Sequence, residues 1–392
     1  MYEELKQHFQ DTFHCEAQYL FSAPGRTELS GNHTDHQLGK VLAGAVDLDT
    51  VAAVALNGES VIRVLSEGYP LCEIALEDLA VHPEESGTTA ALIRGTAAGI
   101  AARGFAVSGF DAYVTSRVLA GSGLSSSAAF EVLFGTIINH LTEAGLSALE
   151  IAQLGQYAEN VYFGKPCGLL DQAASSLGGV ITIDFADEKA PQVERLDLDL
   201  AGFGYALCIV DSGADHADLT DEYAAIPGEL RTVNAHFSKT HLREVPEEDF
   251  YAALPELRRE AGDRAVLRAM HIYEENRRVT EQVAALKRGD FDRFLELVKA
   301  SGRSSWMYLQ NVIPAGYKTH QDLAVSLALA EKLLAGRGAC RVHGGGFAGT
   351  IQAFVPLDAL DAFRSGMDAV LGEGSCHILS IRSAGGILLE EL

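Results

Sequence analysis

At 392 residues the chain exceeds what a single hydrophobic core usually organises, so two domains are the expectation. A formal net charge of -24 excludes the basic surface that nonspecific binding to nucleic acid or to an anionic membrane requires. The opening MYEELKQHFQDTF holds acidic residues and no long apolar run, so it reads neither as a secretory signal nor as a membrane span, and a cytoplasmic enzyme is the simplest expectation.

Taken in chain order, residues 41–56 and 60–65 are rich in Val, Ala and Ile with polar interruptions and predict strands, whereas 88–103 predicts a helix. Helical patterning then dominates to about residue 163. Short apolar runs at 178–183 and 206–210 have strand character. The acidic connector 187–199 between them is the expected domain boundary, dividing the chain into 1–195 and 196–392. Beyond it, 249–300 and 320–335 carry helical periodicity, and the tail alternates short strands with a helix. The whole is an α+β pattern without repeats. Six scattered cysteines (Cys15, Cys72, Cys167, Cys208, Cys340 and Cys376) form no CxxC pair, which suits reduced, mostly buried thiols better than a disulfide framework or a zinc site.

Residues 119–129 read LAGSGLSSSAA. Gly121 and Gly123 let the backbone wrap closely around an anion, and Ser122, Leu124, Ser125, Ser126 and Ser127 lead into an apolar run that reads as a helix opening. The unpaired N–H groups and positive dipole end of that helix would face the same anion. A serine at this junction can cap the helix, bond a phosphate or coordinate Mg²⁺. Taken alone, such a loop is better read as a flexible turn with an N-cap, because glycine-rich motifs have many false positives. It lacks the lysine of GxxxxGK[ST] and the spacing of a dinucleotide fingerprint.

Three further stretches accompany it: APGRTELSGNHTD at 23–35, PCGLLDQAAS at 166–175 and VHGGGFAGTIQAFV at 342–355. Together the four resemble, in order, the motifs of the GHMP small-molecule kinases, and the first resembles the galactokinase signature GRxNLIGEHxDY. The resemblance implies a two-domain architecture, with an N-terminal ribosomal S5 domain 2-like fold, a C-terminal ferredoxin-like domain and the site between them. It also implies ATP and Mg²⁺ as partners in phosphorylating the anomeric hydroxyl of galactose to galactose 1-phosphate.

The residue roles follow from the same resemblance. Asp171, in GLLDQ, becomes the catalytic aspartate and Arg26 the cation that keeps it ionised and stabilises the transferring phosphoryl; otherwise they read as a helix cap and a surface arginine. Ser127 and Glu159 are the implied Mg²⁺ ligands. Residues 121–127 hold the nucleotide phosphates, and Gly345 and Gly346 help shape that region. His33, Asp35, the Gly168 backbone and Tyr223 are the implied sugar contacts, with Asn32 near the primary hydroxyl.

The sequence also departs from the pattern. Asn32 stands where the signature has glutamate, His36 where it has tyrosine, and Glu28 where GRxN has asparagine. Losing an anionic group near C6 would remove repulsion of a uronic acid, so galacturonate is the alternative substrate, supported by the likeness of HTDHQ to the HIDHQ of galacturonate kinases. A non-catalytic galactose and ATP sensor, a kinase of a non-sugar alcohol, and a metal site at His33, Asp35 and His36 are the other readings. Residues 249–305, with Trp306 after them, match none of the motifs.

Overall fold

The computed structural model describes residues 2–118, 123–165, 167–187, 190–214 and 219–392. The first half opens with α1 (Tyr2–Phe13) and then builds β1 (Tyr19–Ser30), β2 (Lys40–Leu56), β3 (Val61–Ser66), β4 (Cys72–Ala75), α2 (Thr89–Ala101) and β5 (Phe110–Ser116). Helices α3 (Ser126–Leu141), α4 (Ala148–Tyr157) and α5 (Leu170–Leu177) follow, then β6 (Val180–Asp184) and β7 (Gln192–Leu196). The second half comprises β8 (Tyr205–Asp211), α6 (Thr220–His236), α7 (Glu247–Ala252), α8 (Leu254–Glu260), α9 (Asp263–Lys287) and α10 (Phe291–Ser304). It ends with α11 (Asp322–Leu334), β9 (Ala339–Val342), β10 (Thr350–Pro356), α12 (Leu360–Leu371), β11 (Cys376–Leu379) and β12 (Ile387–Glu391).

Two sheets organise these elements among the described residues. The larger runs β12-β1-β2-β5-β3-β4, with β6 joining β2 and β7 joining β6; the smaller runs β11-β8-β10-β9. The 17-residue β2 is the spine of the larger sheet: its first residues pair with β6, its last with β5, and β1 lies antiparallel along it. Both faces are covered, so β2 is buried over nearly its whole length, which is why its sequence is a near-continuous apolar run. Helices α2, α3 and α4 close one side with Ile93, Ile100, Leu133, Phe134, Ile137 and Leu154 packed against Phe21, Val54 and Phe110. In the second half, α11 and α12 cover the small sheet.

Three expectations are corrected here. The stretch 187–199 is not an interdomain linker along its length, because β7 within it pairs with β6 from Val180↔Leu196 to Asp184↔Gln192. The tail does not stay with the second sheet either, since β12 adds to β1 from Tyr19↔Glu391 to Ser22↔Ile387. The prediction of helices from 88 to 163 missed β5, whose FDAYVTS alternates too weakly to stand out from its helical flanks. Of the six free cysteines only Cys208, Cys340 and Cys376 are buried, whereas Cys15 is exposed.

Helix α9, from the segment without a motif, braces the signature loop between β1 and β2. Glu275, fully buried, accepts hydrogen bonds from Ser30 Oγ (3.2 Å), the Gly31 N–H (3.2 Å) and Ser301 Oγ (2.6 Å), and pairs with Arg278. One turn away, the His271 ring donates from Nε2 to the Asn32 carbonyl at 2.9 Å and accepts from Ser304 Oγ at 2.8 Å. Asn276 Oδ1 accepts the Lys40 N–H at 2.8 Å. Burial opposes ionisation of Glu275, yet Arg278, His271 and Arg341 hold its pKa down at about 2. A depressed carboxyl contributes stability above its unfolded pKa and loses it as pH falls toward 2. Glu275→Ala, which strands Arg278, is therefore expected to cost about 3–5 kcal/mol at neutral pH, read as a lower denaturant midpoint, with the gap to the parent protein narrowing in acid.

Candidate active site

The four motifs meet where β1, the start of α3 and the start of α5 converge. Strand β1 changes register against β2 between Pro24, opposite Asp49, and Arg26, opposite Ala45, a bulge just before the arginine that reaches α5. The backbone N–H of Arg26 donates to the Leu124 carbonyl at 2.9 Å, and a Cβ on Gly25 would come within 2.9 Å of that same oxygen, so the close approach requires glycine. From this position Arg26 grips Asp171 with two parallel bonds, Nε to Oδ1 and Nη2 to Oδ2, each 2.7 Å. Its remaining Nη1 donates to the Gly123 carbonyl. Ser125 occupies the N-cap position of α3 with φ 56°, but its hydroxyl bonds Asp171 Oδ2 rather than capping the helix.

Asp171 thus has a guanidinium and a hydroxyl on one side and an open cleft on the other, with 34 % of its side chain exposed. Burial alone would raise its pKa; Arg26, Ser125 and Lys165 outweigh that and hold the carboxyl below its ordinary range. Asp35 behaves oppositely. Burial pushes its carboxyl up, and the negative charge of Asp171 adds to the rise against the opposing His36 N–H and His33. Gly168 lies so near that a Cβ there would sit 2.6 Å from Asp35 Oδ2.

Arg26, Asn32, His33, Asp35, Gly168 and Asp171 all border one cleft of about 820 Å³. Gly123, Ser125, Ser126, Ser127, Glu159 and Asp171 border an adjoining pocket of about 220 Å³. Asp171 and Cys167 belong to both walls. Gly121 and Ser122 lie outside the described residues.

Several anticipated site residues lie away from the cavity walls or are engaged within the protein. Leu124 borders neither cavity; it is a core residue whose carbonyl braces Arg26. Gly345 faces the larger cleft, where its carbonyl accepts from His33 at 3.0 Å, and Gly346 lies against Asn311; neither borders the smaller pocket. Asn32 is fully enclosed, with Nδ2 donating to Glu28 Oε1 (3.1 Å) and the Gly344 carbonyl (2.6 Å) and Oδ1 accepting from Asn311 (2.8 Å). Its amide is thus engaged by the protein where it meets the cleft wall. Glu28 is in turn neutralised by the buried Arg341 at 2.6 Å. Tyr223 donates its hydroxyl to the Gly346 carbonyl at 2.8 Å and stands beside the residues that bound the cleft, not among them.

Sequence reasoning missed Gln156 and Asn160, which point from α4 and the following turn to the Cys167 carbonyl at 3.2 and 3.4 Å, while Asn160 Oδ1 accepts the Cys167 N–H at 2.7 Å. Their four-residue spacing puts them on one helix face and was the available signal. Also unforeseen, Gln172 Nε2 bridges Glu159 and buried Glu131, each at 2.9 Å.

Among the described residues no group of three or more His, Cys, Asp or Glu side chains is placed to hold a metal ion, so His33, Asp35 and His36 do not form one. The smaller pocket nonetheless suits Mg²⁺, which takes hard oxygen ligands and keeps phosphate oxygens and waters for the rest. Glu159 and Ser127 supply such oxygens beside the N-terminus of α3.

A phosphate pocket at a helix N-terminus, joined through an arginine-paired aspartate to a polar cleft, is the site of a GHMP-type small-molecule kinase. Residues 91–179 match the GHMP kinases N terminal domain, and residues 7–56 match the galactokinase galactose-binding signature. The chain is 32 % identical over 365 residues to a galactokinase of Streptomyces coelicolor, covering 92 % of this chain and 91 % of that one. Its structure is similar to that of Lactococcus lactis galactokinase complexed with galactose, with TM-score 0.83 and 26 % identity, spanning 99 % of this chain and 100 % of the other. At 13 % identity, the mevalonate kinase of Methanococcus jannaschii shares the fold with TM-score 0.67, over 93 % of this chain and 98 % of that one. The chain belongs to the galactokinase family.

With Asp35 raised and Asp171 lowered, the first of the two to take a proton as pH falls is Asp35. The acid limb of kcat/KM, which reports the free enzyme, is expected to follow Asp35. Asp35→Asn should lower kcat/KM by about 10–100-fold, the loss of a charged hydrogen bond, and move that limb to lower pH; a pH–rate profile of the two proteins checks both.

Proposed function

We propose that the protein transfers the terminal phosphoryl group of ATP to the anomeric hydroxyl of galactose, giving galactose 1-phosphate and ADP. The observation that carries this reading is the position of Asp171, shared by the walls of the polar cleft and of the phosphate pocket. A hydroxyl held in the cleft against Asp171 points toward a phosphoryl group held over Ser125, Ser126 and Ser127.

In this reading His33 and Asp35 hold the ring hydroxyls and the Gly168 backbone closes against the ring. Asp171 fixes the anomeric hydroxyl and accepts its proton as the O–P bond forms. Because its pKa is depressed, it is a weak base early in the reaction, and its main contribution is orientation in a loose transition state, the proton moving late. Arg26 offsets charge on both the carboxylate and the phosphoryl oxygens. Mg²⁺, held by Ser127 and Glu159, would supply charge neutralisation of the phosphates.

The geometry weighs against the other readings. A binding-only sensor has no need of a bidentate Arg26–Asp171 pair at the junction of the two cavities. Of the two signs of galacturonate, the exchange at Asn32 loses weight because its amide is engaged within the protein, and the likeness of HTDHQ to HIDHQ is what keeps that sugar as the alternative. A non-sugar alcohol lacks the ring hydroxyls that His33 and Asp35 would meet in the cleft wall.

The test is ADP release from ATP and Mg²⁺ with galactose, galacturonate, N-acetylgalactosamine, glucose and mevalonate in parallel. Galactose is expected to be turned over fastest; a faster rate with another acceptor would reassign the substrate, and no release with any would restore the sensor. Asp171→Asn should lower kcat by about 10²–10⁴-fold with nucleotide binding, followed by calorimetry, retained.

A further inference from the structure

The smaller pocket contains a cation to which none of the readings above gives a role. Lys165 borders it together with Ser125, Ser126, Ser127, Glu159 and Asp171. Its Nζ lies 3.3 Å from Glu159 Oε1, and the two partners differ sharply: 65 % of the lysine side chain is exposed, against 4 % for the glutamate. The lysine backbone is pinned, since its N–H donates to the Glu159 carbonyl at 3.1 Å and closes the wide helical turn Ala158–Phe163. A flexible four-carbon arm therefore swings from a fixed point at the pocket mouth.

The acids around it give that arm two destinations. Glu131 lies behind Gln172, fully buried, and burial together with the charge of Glu159 drives its carboxyl toward the protonated form. Glu159 and Asp171 are then the anionic groups of the pocket, and Arg26 already holds Asp171 through both oxygens. Lys165 neutralises Glu159. A divalent cation arriving with a nucleotide needs that same Glu159 oxygen, and the displaced ammonium remains tethered among the incoming phosphates. A compact ammonium with three donors binds phosphate as a point charge.

We propose that Lys165 is an exchanging cation of the phosphoryl-transfer step: it holds Glu159 while the nucleotide site is empty, and moves to the terminal phosphoryl oxygens when the divalent cation takes Glu159. This rests on the kinase reading above. The lysine gains and loses no proton; the bond between the sugar oxygen and the terminal phosphorus forms, the bond to the ADP oxygen breaks, and the hydroxyl proton goes to Asp171.

The exchange predicts two changes of opposite direction. In Lys165→Ala, kcat is expected to fall by about 10²-fold, the loss of one transition-state donor, with the sugar KM unchanged. The same variant should bind ADP at lower Mg²⁺ concentrations than the parent, measured by calorimetry without sugar or turnover, because the competitor for Glu159 has gone. Lys165→Arg should retain part of kcat. Unchanged kcat would overturn the phosphoryl contact, and a lower kcat with unchanged Mg²⁺ dependence would overturn the exchange. No turnover by the parent protein with any acceptor would instead overturn the kinase reading, leaving the Mg²⁺ dependence of ADP binding to decide whether Lys165 competes for Glu159.

Discussion

The paired hydrogen bonds between Arg26 and Asp171 join three parts of the chain that are far apart in sequence: the bulged strand β1, the loop before α3 and the first turn of α5. Ser125, at the left-handed N-cap of α3, completes the contact from the phosphate side. Ion pairs of this kind repay desolvation only when their geometry is good, and replacing them with apolar packing is often no less stable. What the pair provides is placement. It keeps one carboxylate ionised at the line where two cavities meet, and every other group in the site is positioned relative to it.

The signature loop illustrates how that placement is maintained. Where β1 and β2 separate, polar backbone groups of the loop are satisfied by side chains from α9, while the segment after α10 engages the Asn32 side chain. His271 and Glu275, four residues apart, face the loop from one side of the helix, and Asn311 reaches it from the other end. The burial of His271 lowers its pKa to about 4, leaving the ring neutral, so that Nε2–H donates to the Asn32 carbonyl while Nδ1 accepts from Ser304 Oγ. Helix α9 has no catalytic motif because its function is to hold one.

Much of the site was legible in the sequence because its chemistry requires rare residue combinations in short runs. A glycine–serine run before an apolar helix, or an acid directly after GLL, has a plain structural reading when alone; the order of all four stretches along the chain is what made them legible. Strands β2 and β6 were legible for a similar reason, since burial on both faces writes itself as apolar runs. What stayed hidden depends on contacts across long sequence separations. Nothing in residues 387–391 announces that they pair with residues 19–22, and nothing in Asn32 announces that Glu28, Gly344 and Asn311 engage its amide. The substitution of glutamate by asparagine looked like a change in ligand chemistry; in three dimensions it is a change within a buried polar network that includes the Glu28–Arg341 pair.

The contrast between Asp35 and Asp171 carries the functional reading further than either residue alone. Both are carboxylates in the wall of one cleft, and their environments push them in opposite directions: Asp171 down through Arg26 and Ser125, Asp35 up through burial and the charge of its neighbour. Pairs of acids divided in this way usually divide the chemistry as well. An aspartate held ionised by a guanidinium can orient a hydroxyl and receive its proton once the phosphoryl group has begun to move, without being lost to protonation in moderate acid. An aspartate whose charge is disfavoured gains most from a ligand that offers donors to it. Sugar hydroxyls offer such donors, and in the proposed reading their binding would relieve the cost of keeping Asp35 charged beside Asp171. On this argument a polyhydroxylated acceptor is not only accommodated by the cleft but also stabilises the charge state that the site needs, which an apolar alcohol of the same size could not do.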